Sequence, residues 1–181
     1  MEENIARTMI TTTTRVLATL PDTVNADMRL LFVGLNPSFH SVRAGYGFAS
    51  PSNRFWSSVV EAGIITKWRD PEHALKQDRV GMTDLVKRAS TRASEITKVE
   101  YQEGLARLDR LCRWLSPEIV CVLGITGWRA ALEARHLVMG EQPTKLGGRP
   151  VHVLPNPSGL NAHTSHADLV KRFRTLLEIV A

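Results

Sequence analysis

The sequence predicts a single α/β domain in which helices pack against a mainly parallel sheet. Two segments, Arg29–Gly34 and Glu118–Gly124, contain continuous apolar runs that end at glycine, which is typical of strands covered on both faces. Helical patterns alternate with such strands, and this alternation favours a parallel sheet. The 181 residues fit one domain, in which we expect residues 1–28 to form an N-terminal helix or arm.

The composition is that of an ordinary globular protein. Hydrophobic residues make up 43% and charged residues 23% of the chain, which excludes a disordered chain, a coiled coil and a collagen-like fibre. The net charge of +5 is a weak indication of a polyanionic partner. No apolar run approaches the roughly 18 residues of a membrane span, and no secretory leader is visible, so we expect a cytoplasmic protein without a membrane partner. Cys112 and Cys121 are expected to be buried thiols.

Local signals place the remaining elements. Val80–Val86 and Pro150–Leu154 are predicted strands, the first of them weaker. Helix starts are predicted at Ser52 or Asn53 (ending near Ala62), at Asp70 before Pro71, at Thr97 with Glu100 (ending near Leu115), at Thr126 (ending near Ala134), and at Ser165 with Asp168. The last helix carries an apolar stripe made of Leu169, Phe173, Leu176, Leu177 and Val180.

Two loops follow predicted strands at the sheet edge where ligands bind in such folds. They are Leu35–Ser52 and Pro155–Ser165. No Walker-type phosphate loop occurs, and the lone Gly45-Tyr46-Gly47 is a weak dinucleotide signal. His163 and His166 have no third metal ligand nearby in the sequence. We therefore expect neither a metal nor another cofactor.

Three side chains in these loops each allow two interpretations. The Asn36 amide can hold a water or a substrate, or it can only satisfy the turn that Pro37 stiffens. Phe48 can stack on a flat ligand, or it can pack in the core. Leu160 lies at a loop tip, where a leucine is expected to pack against or insert into something.

Taken together, these segments resemble a family of DNA repair enzymes. The resemblance rests on GLNPS (34–38), GYGFA (45–49), PSNRFW (51–56) and LPNPSGL (154–160), in that order, and extends over about residues 29–180. The chain is similar to the mismatch-specific uracil/thymine DNA glycosylases, the Mug and thymine-DNA glycosylase branch of the uracil-DNA glycosylase superfamily. The resemblance implies a three-layer α/β/α sandwich that acts as a monomer on double-stranded DNA with G·U mismatches.

The resemblance also implies a reaction and a base pocket. The target base leaves the duplex, and the bond between the base and its sugar is hydrolysed. Asn36 would position the attacking water. Leu35, Ser41 and Phe48 would form the base pocket, with Phe48 stacked on the base and the Ser41 hydroxyl crowding the 5-methyl group of thymine. Because no lysine occurs in the matched motifs to form a Schiff base, we expect a monofunctional enzyme.

The second loop would supply a DNA wedge. Gly159 and Leu160 match the residues that fill the hole left by the flipped base and contact the opposite guanine. Family members often carry an arginine beyond this point, where this sequence has Asn161, Ala162 and His163. We include Asn161 in the wedge, together with His163, whose imidazole could contact a phosphate or the gap.

A second departure from the family pattern concerns the reacting water. The Mug pattern has lysine where this sequence has Asp84. A carboxylate facing the pocket could activate water, which an amide cannot. Alternatively, Asp84 forms a salt bridge with Lys87 or Arg88, or caps a helix.

The roles of Asn53 and Arg54 in the third motif stay open, because both residues could be structural or could contact DNA. Two further functions fit the same fold. The chain could be a non-catalytic DNA- or nucleotide-binding module, or a hydrolase of free nucleosides. The complete motif around Asn36 favours the glycosylase.

Overall fold

The computed structural model describes residues 18–180. Its strands are β1 (Leu30–Gly34), β2 (Val80–Asp84), β3 (Ile119–Leu123), β4 (Gly140–Glu141) and β5 (Val151–Leu154). They form a five-stranded sheet in the order β2-β1-β3-β5-β4, in which only β4 runs antiparallel to its neighbour. The predicted mainly parallel sheet is confirmed. The short edge strand β4 was not predicted.

Six α-helices accompany the sheet in this part of the chain. They are α1 (Phe39–Ala44), α2 (Phe55–Glu61), α3 (Pro71–Lys76), α4 (Lys98–Leu115), α5 (Ile125–Leu132) and α6 (His166–Val180). A short 3₁₀ turn at Ala93–Glu95 precedes α4.

The core lies on both faces of the sheet. Along β1, Leu30 and Phe32 pack with residues of α2 and α6, whereas Leu31 and Val33 pack with residues of α4 and α5. Successive side chains of a strand point to opposite faces, so a fully apolar strand requires a helical layer on each side. The three-layer α/β/α architecture is confirmed.

Three local predictions need correction. The loop after β1 contains helix α1, because the Ser38 hydroxyl accepts the Ser41 N–H at 3.1 Å and caps it. Helix α2 begins after Arg54, although the Asn53 side chain does accept the Phe55 N–H at 2.9 Å. Thr126 is not a cap, since α5 already begins at Ile125; Gly124, with φ of 121°, makes the abrupt strand-to-helix turn.

The N-terminal segment runs along the sheet edge beside β2. Thr23 and Met82 exchange two backbone hydrogen bonds, at 2.9 and 2.8 Å, and the Ala89 N–H donates to the Ala18 carbonyl at 2.8 Å. The rest of the predicted N-terminal helix or arm, residues 1–17, lies outside the described residues, as does the Val180 side chain of the predicted stripe. Across residues 18–180, every helix is too short or too polar to cross a bilayer.

Candidate active site

A cavity of about 440 Å³ opens at the carboxyl ends of the parallel strands. Both loops singled out from the sequence line it, together with the end of β2 and the segment that follows it. The residues that line it include Gly34, Leu35, Asn36, Ser38, Ser41, Phe48, Ser52, Asn53, Asp84, Ser90, Asn156, Ser158 and Leu160. This is the edge at which ligands bind in open parallel sheets.

The orientation of the Asn36 amide is set by the protein. Its Nδ2 donates to the Ser90 hydroxyl at 2.8 Å and to the Arg88 carbonyl at 3.1 Å. A carbonyl can only accept a hydrogen bond, so the NH₂ group must lie on that side. No described residue donates to Asn36 Oδ1, which leaves this oxygen able to accept a hydrogen bond from a water.

Asp84 brings a carboxylate to the same cavity. It ends β2, where it pairs in register with Gly34 of β1, and it is 8% exposed. The two expected salt-bridge partners are engaged elsewhere: Lys87 contacts Asp22 at 2.6 Å, and Arg88 contacts Glu100. Within residues 18–180 nothing donates a hydrogen bond to the Asp84 carboxylate. The alternative in which Asp84 forms a salt bridge with Lys87 or Arg88 is therefore wrong.

Burial changes the acidity of this group. Desolvation raises the pKa of Asp84 to about 6, and the negative charge of Asp22 adds to the effect. The positive charges of Lys87 and Arg107 oppose it by lowering the pKa. A carboxylate with a pKa near 6 is mostly ionised at neutral pH and is a stronger base than an ordinary aspartate.

A charged network behind Asp84 holds its main chain. Arg107 of α4 donates to the Asp84 carbonyl, to the Thr83 hydroxyl at 3.0 Å and to Asp22 at 2.8 Å. Asp22 in turn accepts from Lys87 and from Thr83. Sequence reasoning missed this network, because Asp22 and Arg107 are far from Thr83 and Lys87 in the chain and belong to no recognisable motif.

Phe48 presents an aromatic ring to the cavity from a strained backbone. Its φ is 59°, a left-handed conformation that is costly for a residue with a side chain. The ring stacks on Phe55 with centroids 4.1 Å apart and planes inclined by 29°. The Trp56 indole N–H donates to the Gly47 carbonyl at 3.0 Å and fixes the preceding turn. These contacts hold Phe48 in its unusual conformation.

Gly34 keeps the space between Phe48 and Asp84 open. A Cβ atom added to Gly34 would lie 2.6 Å from Asp84 Oδ1 and 3.3 Å from the Phe48 ring. Any side chain at this position would therefore collide with the carboxylate and press on the ring.

Ser41 and Leu35 occupy different positions in the cavity wall. Ser41 is buried, and its Oγ accepts hydrogen bonds from the Ala49 N–H at 3.3 Å and the Ser38 hydroxyl at 3.1 Å. Leu35 contributes to the wall, but its side chain packs against α5. The contact with Gly127 of that helix is close, since a Cβ added to Gly127 would lie 2.5 Å from Leu35 Cδ1. The hydroxyl of Ser41 is thus held in place, while most of Leu35 belongs to the core.

The second loop reaches the rim of the cavity. Leu160 is 95% exposed at its tip. Gly159 lies against the first loop, since an added Cβ would be 2.6 Å from the Ser52 Cβ. Asn161 braces the loop internally, because its Nδ2 donates to the Asn156 carbonyl at 2.9 Å and its Oδ1 accepts the His163 N–H at 3.2 Å. His163 itself is exposed.

Arg54, whose role the sequence left open between structural and DNA-contacting, makes structural contacts within the protein. Its guanidinium donates to the carbonyls of Ser158 at 3.3 Å, Asn161 at 2.9 Å and Thr164. No local signal in the sequence indicates these partners, which lie more than 100 residues further along the chain.

Comparison with known families agrees with this geometry. The family model of the Uracil DNA glycosylase superfamily matches residues 21–180. The chain belongs to the uracil DNA glycosylase superfamily. Membership supports a DNA glycosylase role, that is, hydrolysis of the bond between a base and its sugar in DNA.

A solved structure shares the fold of this chain. It is a solution NMR structure of a protein from Methanosarcina acetivorans that carries the provisional name uracil DNA glycosylase. The two chains are 23% identical, the match covers 88% of this chain and 97% of the other, and the TM-score is 0.60. At this identity the likeness establishes the α/β/α fold of this chain and nothing more specific.

Proposed function

We propose that this protein removes uracil from G·U mismatches in double-stranded DNA, as a monomeric and monofunctional glycosylase. The observation that carries the proposal is the pairing, in one cavity, of an oriented Asn36 amide with the buried, unpaired Asp84 carboxylate. The amide oxygen holds a water by accepting its hydrogen bond, and the carboxylate removes a proton from it.

The reaction needs no further reagent. The bond between C1′ of the sugar and N1 of uracil breaks, and its electron pair leaves with the base. The water oxygen forms the new bond to C1′, and its proton passes to Asp84. Because the Asp84 pKa is about 6, the carboxylate is ready to accept this proton at neutral pH.

The base pocket favours a flat pyrimidine without a 5-methyl group. Phe48 stacks on the flipped base, since its ring lines the cavity and is supported by Phe55. The fixed Ser41 hydroxyl crowds the position that the methyl group of thymine would occupy. Uracil is therefore preferred over thymine.

The wedge acts at the rim of the cavity. Leu160 enters the hole that the flipped base leaves, a role supported by its 95% exposure at the rim. His163 contacts a phosphate near the gap. Asn161 contributes by bracing the loop.

The lining of the cavity supports a glycosylase that does not cleave the DNA strand. Among the described residues that form its wall there is no lysine, so no amine is positioned to attack C1′. Lys87, which lies close to Asp84 in the chain, is bound to Asp22.

A nicking assay tests the proposal. Labelled duplexes with G·U, A·U or G·T pairs, a uracil-containing single strand and free uridine are incubated with the protein, and abasic sites are then cleaved with alkali. We expect release from the G·U duplex, strand breakage only after alkali, and little reaction with uridine. Asn36→Ala should lose most activity, whereas the matched control Asn25→Ala, at the other end of the sheet, should not.

Two outcomes would favour a different function. Tight binding of the G·U duplex without release of uracil would indicate a non-catalytic DNA-binding module. Cleavage of free uridine as fast as the duplex would indicate a nucleoside hydrolase.

A further inference from the structure

One arginine side chain forms several hydrogen bonds to the backbone of the wedge loop, residues 156–164. The guanidinium of Arg54 donates to the carbonyls of Ser158, Asn161 and Thr164, and the Arg54 N–H donates to the Pro157 carbonyl at 3.0 Å. These carbonyls occur on both sides of Leu160. The loop contains no helix or strand to organise it, so this arginine takes the place of regular secondary structure.

The contacts suit arginine and no other side chain. Its planar fork carries five donors in a fixed arrangement, which can serve several carbonyls at once. Lysine has one compact ammonium group and would reach fewer of them. Within residues 18–180 the buried Arg54 Nε has no hydrogen-bond partner, so the contacts of the side chain in this part of the protein are made by its terminal nitrogens.

The hydrogen bonds of Arg54 also join the wedge loop to the base pocket. Arg54 follows Ser52 and Asn53, which line the cavity, and Gly159 lies directly against Ser52. One wall of the base pocket and the wedge are therefore two parts of one packed unit. A movement of either would have to break contacts with the other.

Ordering this loop in advance has an energetic consequence. Fixing the backbone of a residue costs conformational entropy, and a loose loop would lose that entropy each time it entered DNA. A loop that is already ordered in the free protein has lost this conformational entropy during folding. Leu160 can then remain 95% exposed and still occupy a defined position.

We propose that Arg54 is a positioning residue that holds Leu160 ready for insertion and so promotes flipping of a paired base, without itself contacting DNA. This inference rests on the proposed excision of uracil from duplex DNA. Its consequence is selective: loss of Arg54 slows excision where the base must be forced out of a stable pair. Excision of a base that is already unpaired depends on the cavity and is affected much less.

The experiment compares Arg54→Met, Arg54→Lys and the control Arg135→Met, which removes an exposed positive charge from the turn that follows α5. Single-turnover excision is measured on a G·U duplex and on a duplex whose uracil lies opposite an abasic site. We expect Arg54→Met to slow the G·U reaction by about tenfold to a hundredfold, because small misplacements have effects of this size. The abasic-site duplex should change by less than about threefold, and Arg54→Lys should fall between wild type and Arg54→Met.

Hydrogen exchange of backbone amides in residues 157–164 gives a readout that does not depend on activity. Exchange in Arg54→Met should be faster than in wild type, while the sheet should stay protected. Unchanged exchange, or equal slowing on both duplexes in a folded variant, overturns the proposal. If Arg54→Met does not fold, the same two comparisons with Arg54→Lys decide it. Failure of the wild-type protein to release uracil from either duplex would instead count against the proposed function.

Discussion

The substitution Asp84→Asn separates the chemistry of this site from its stability. Asparagine has nearly the size of aspartate but carries no charge and cannot act as a base. If Asp84 accepts the proton of the attacking water, the variant loses the contribution of a positioned general base, which is typically about 10²–10⁴-fold in rate. Asn36→Ala removes the hydrogen bond that holds the water, together with the contacts of the amide to Ser90 and Arg88, but it leaves the base in place and should lose less.

The pH dependence of the wild-type rate follows from the raised pKa of Asp84. Only the ionised carboxylate can accept a proton, and its pKa is about 6. The single-turnover rate should therefore be level above about pH 7 and should fall about tenfold for each unit below about pH 6. The residual rate of Asp84→Asn should lack this acidic limb.

The same carboxylate should destabilise the folded protein at neutral pH. Its pKa is about 6 in the folded state, against 3.8 for the unperturbed group. A pKa raised by about two units corresponds to about 3 kcal/mol, since each unit is worth about 1.4 kcal/mol. The protonated group contributes its full stability below about pH 4, and this stability is lost as the pH rises through 6.

Asp84→Asn should therefore be less active and more stable. At pH 8 the free energy of unfolding should rise by up to about 3 kcal/mol, and the difference from wild type should vanish near pH 4. The exposed Asp27→Asn is the matched control, for which we expect neither change. Chemical denaturation at several pH values and single-turnover excision on one G·U substrate measure both effects.

Two results would refute this reasoning. An Asp84→Asn variant with unchanged rate and unchanged fold would remove Asp84 from the mechanism. A greater loss for Asn36→Ala than for Asp84→Asn would assign the larger part to positioning of the water.

Further predictions concern the wedge, the pocket and the partner. Leu160→Ala should lower excision from a paired duplex more than from a single strand, with an unchanged melting temperature because the side chain is 95% exposed; equal loss on both substrates would contradict a wedge. Ser41→Ala should increase excision from G·T pairs relative to G·U pairs, and an unchanged ratio would exclude the hydroxyl as the source of selectivity. Binding to duplex DNA should weaken as salt rises, with a slope of about −0.9 for each phosphate contacted, which titration at several salt concentrations measures. Borohydride should trap no covalent protein–DNA adduct, and a trapped adduct would show that an amine attacks the sugar.

Features that depend on neighbours in the chain could be predicted from the sequence. The capping boxes are examples: Thr97 and Glu100 exchange hydrogen bonds at 2.9 and 3.2 Å at the start of α4, and Ser165 and Asp168 do so before α6. The apolar runs of β1 and β3 also predict burial by themselves, because a strand without polar side chains must be covered on both faces. These local signals were sufficient for the α/β class and for the two loops at the site.

Features that depend on distant contacts were decided by the tertiary structure. The Asn36 amide is oriented by Ser90, which is 54 residues away in the chain, and Arg54 meets the carbonyl of Thr164 110 residues later. The motifs identified Asn36 and Asp84 as candidates, but an isolated sequence cannot tell whether a carboxylate will find a salt-bridge partner.

Here Lys87 binds Asp22, and among the described residues none donates a hydrogen bond to the buried Asp84 carboxylate. The sequence by itself determined which side chains the strands deliver to the edge of the sheet, because strand patterns and loop positions are local. Only the tertiary structure decided their charge, their partners and their exposure, because burial and hydrogen bonding depend on segments that meet after folding.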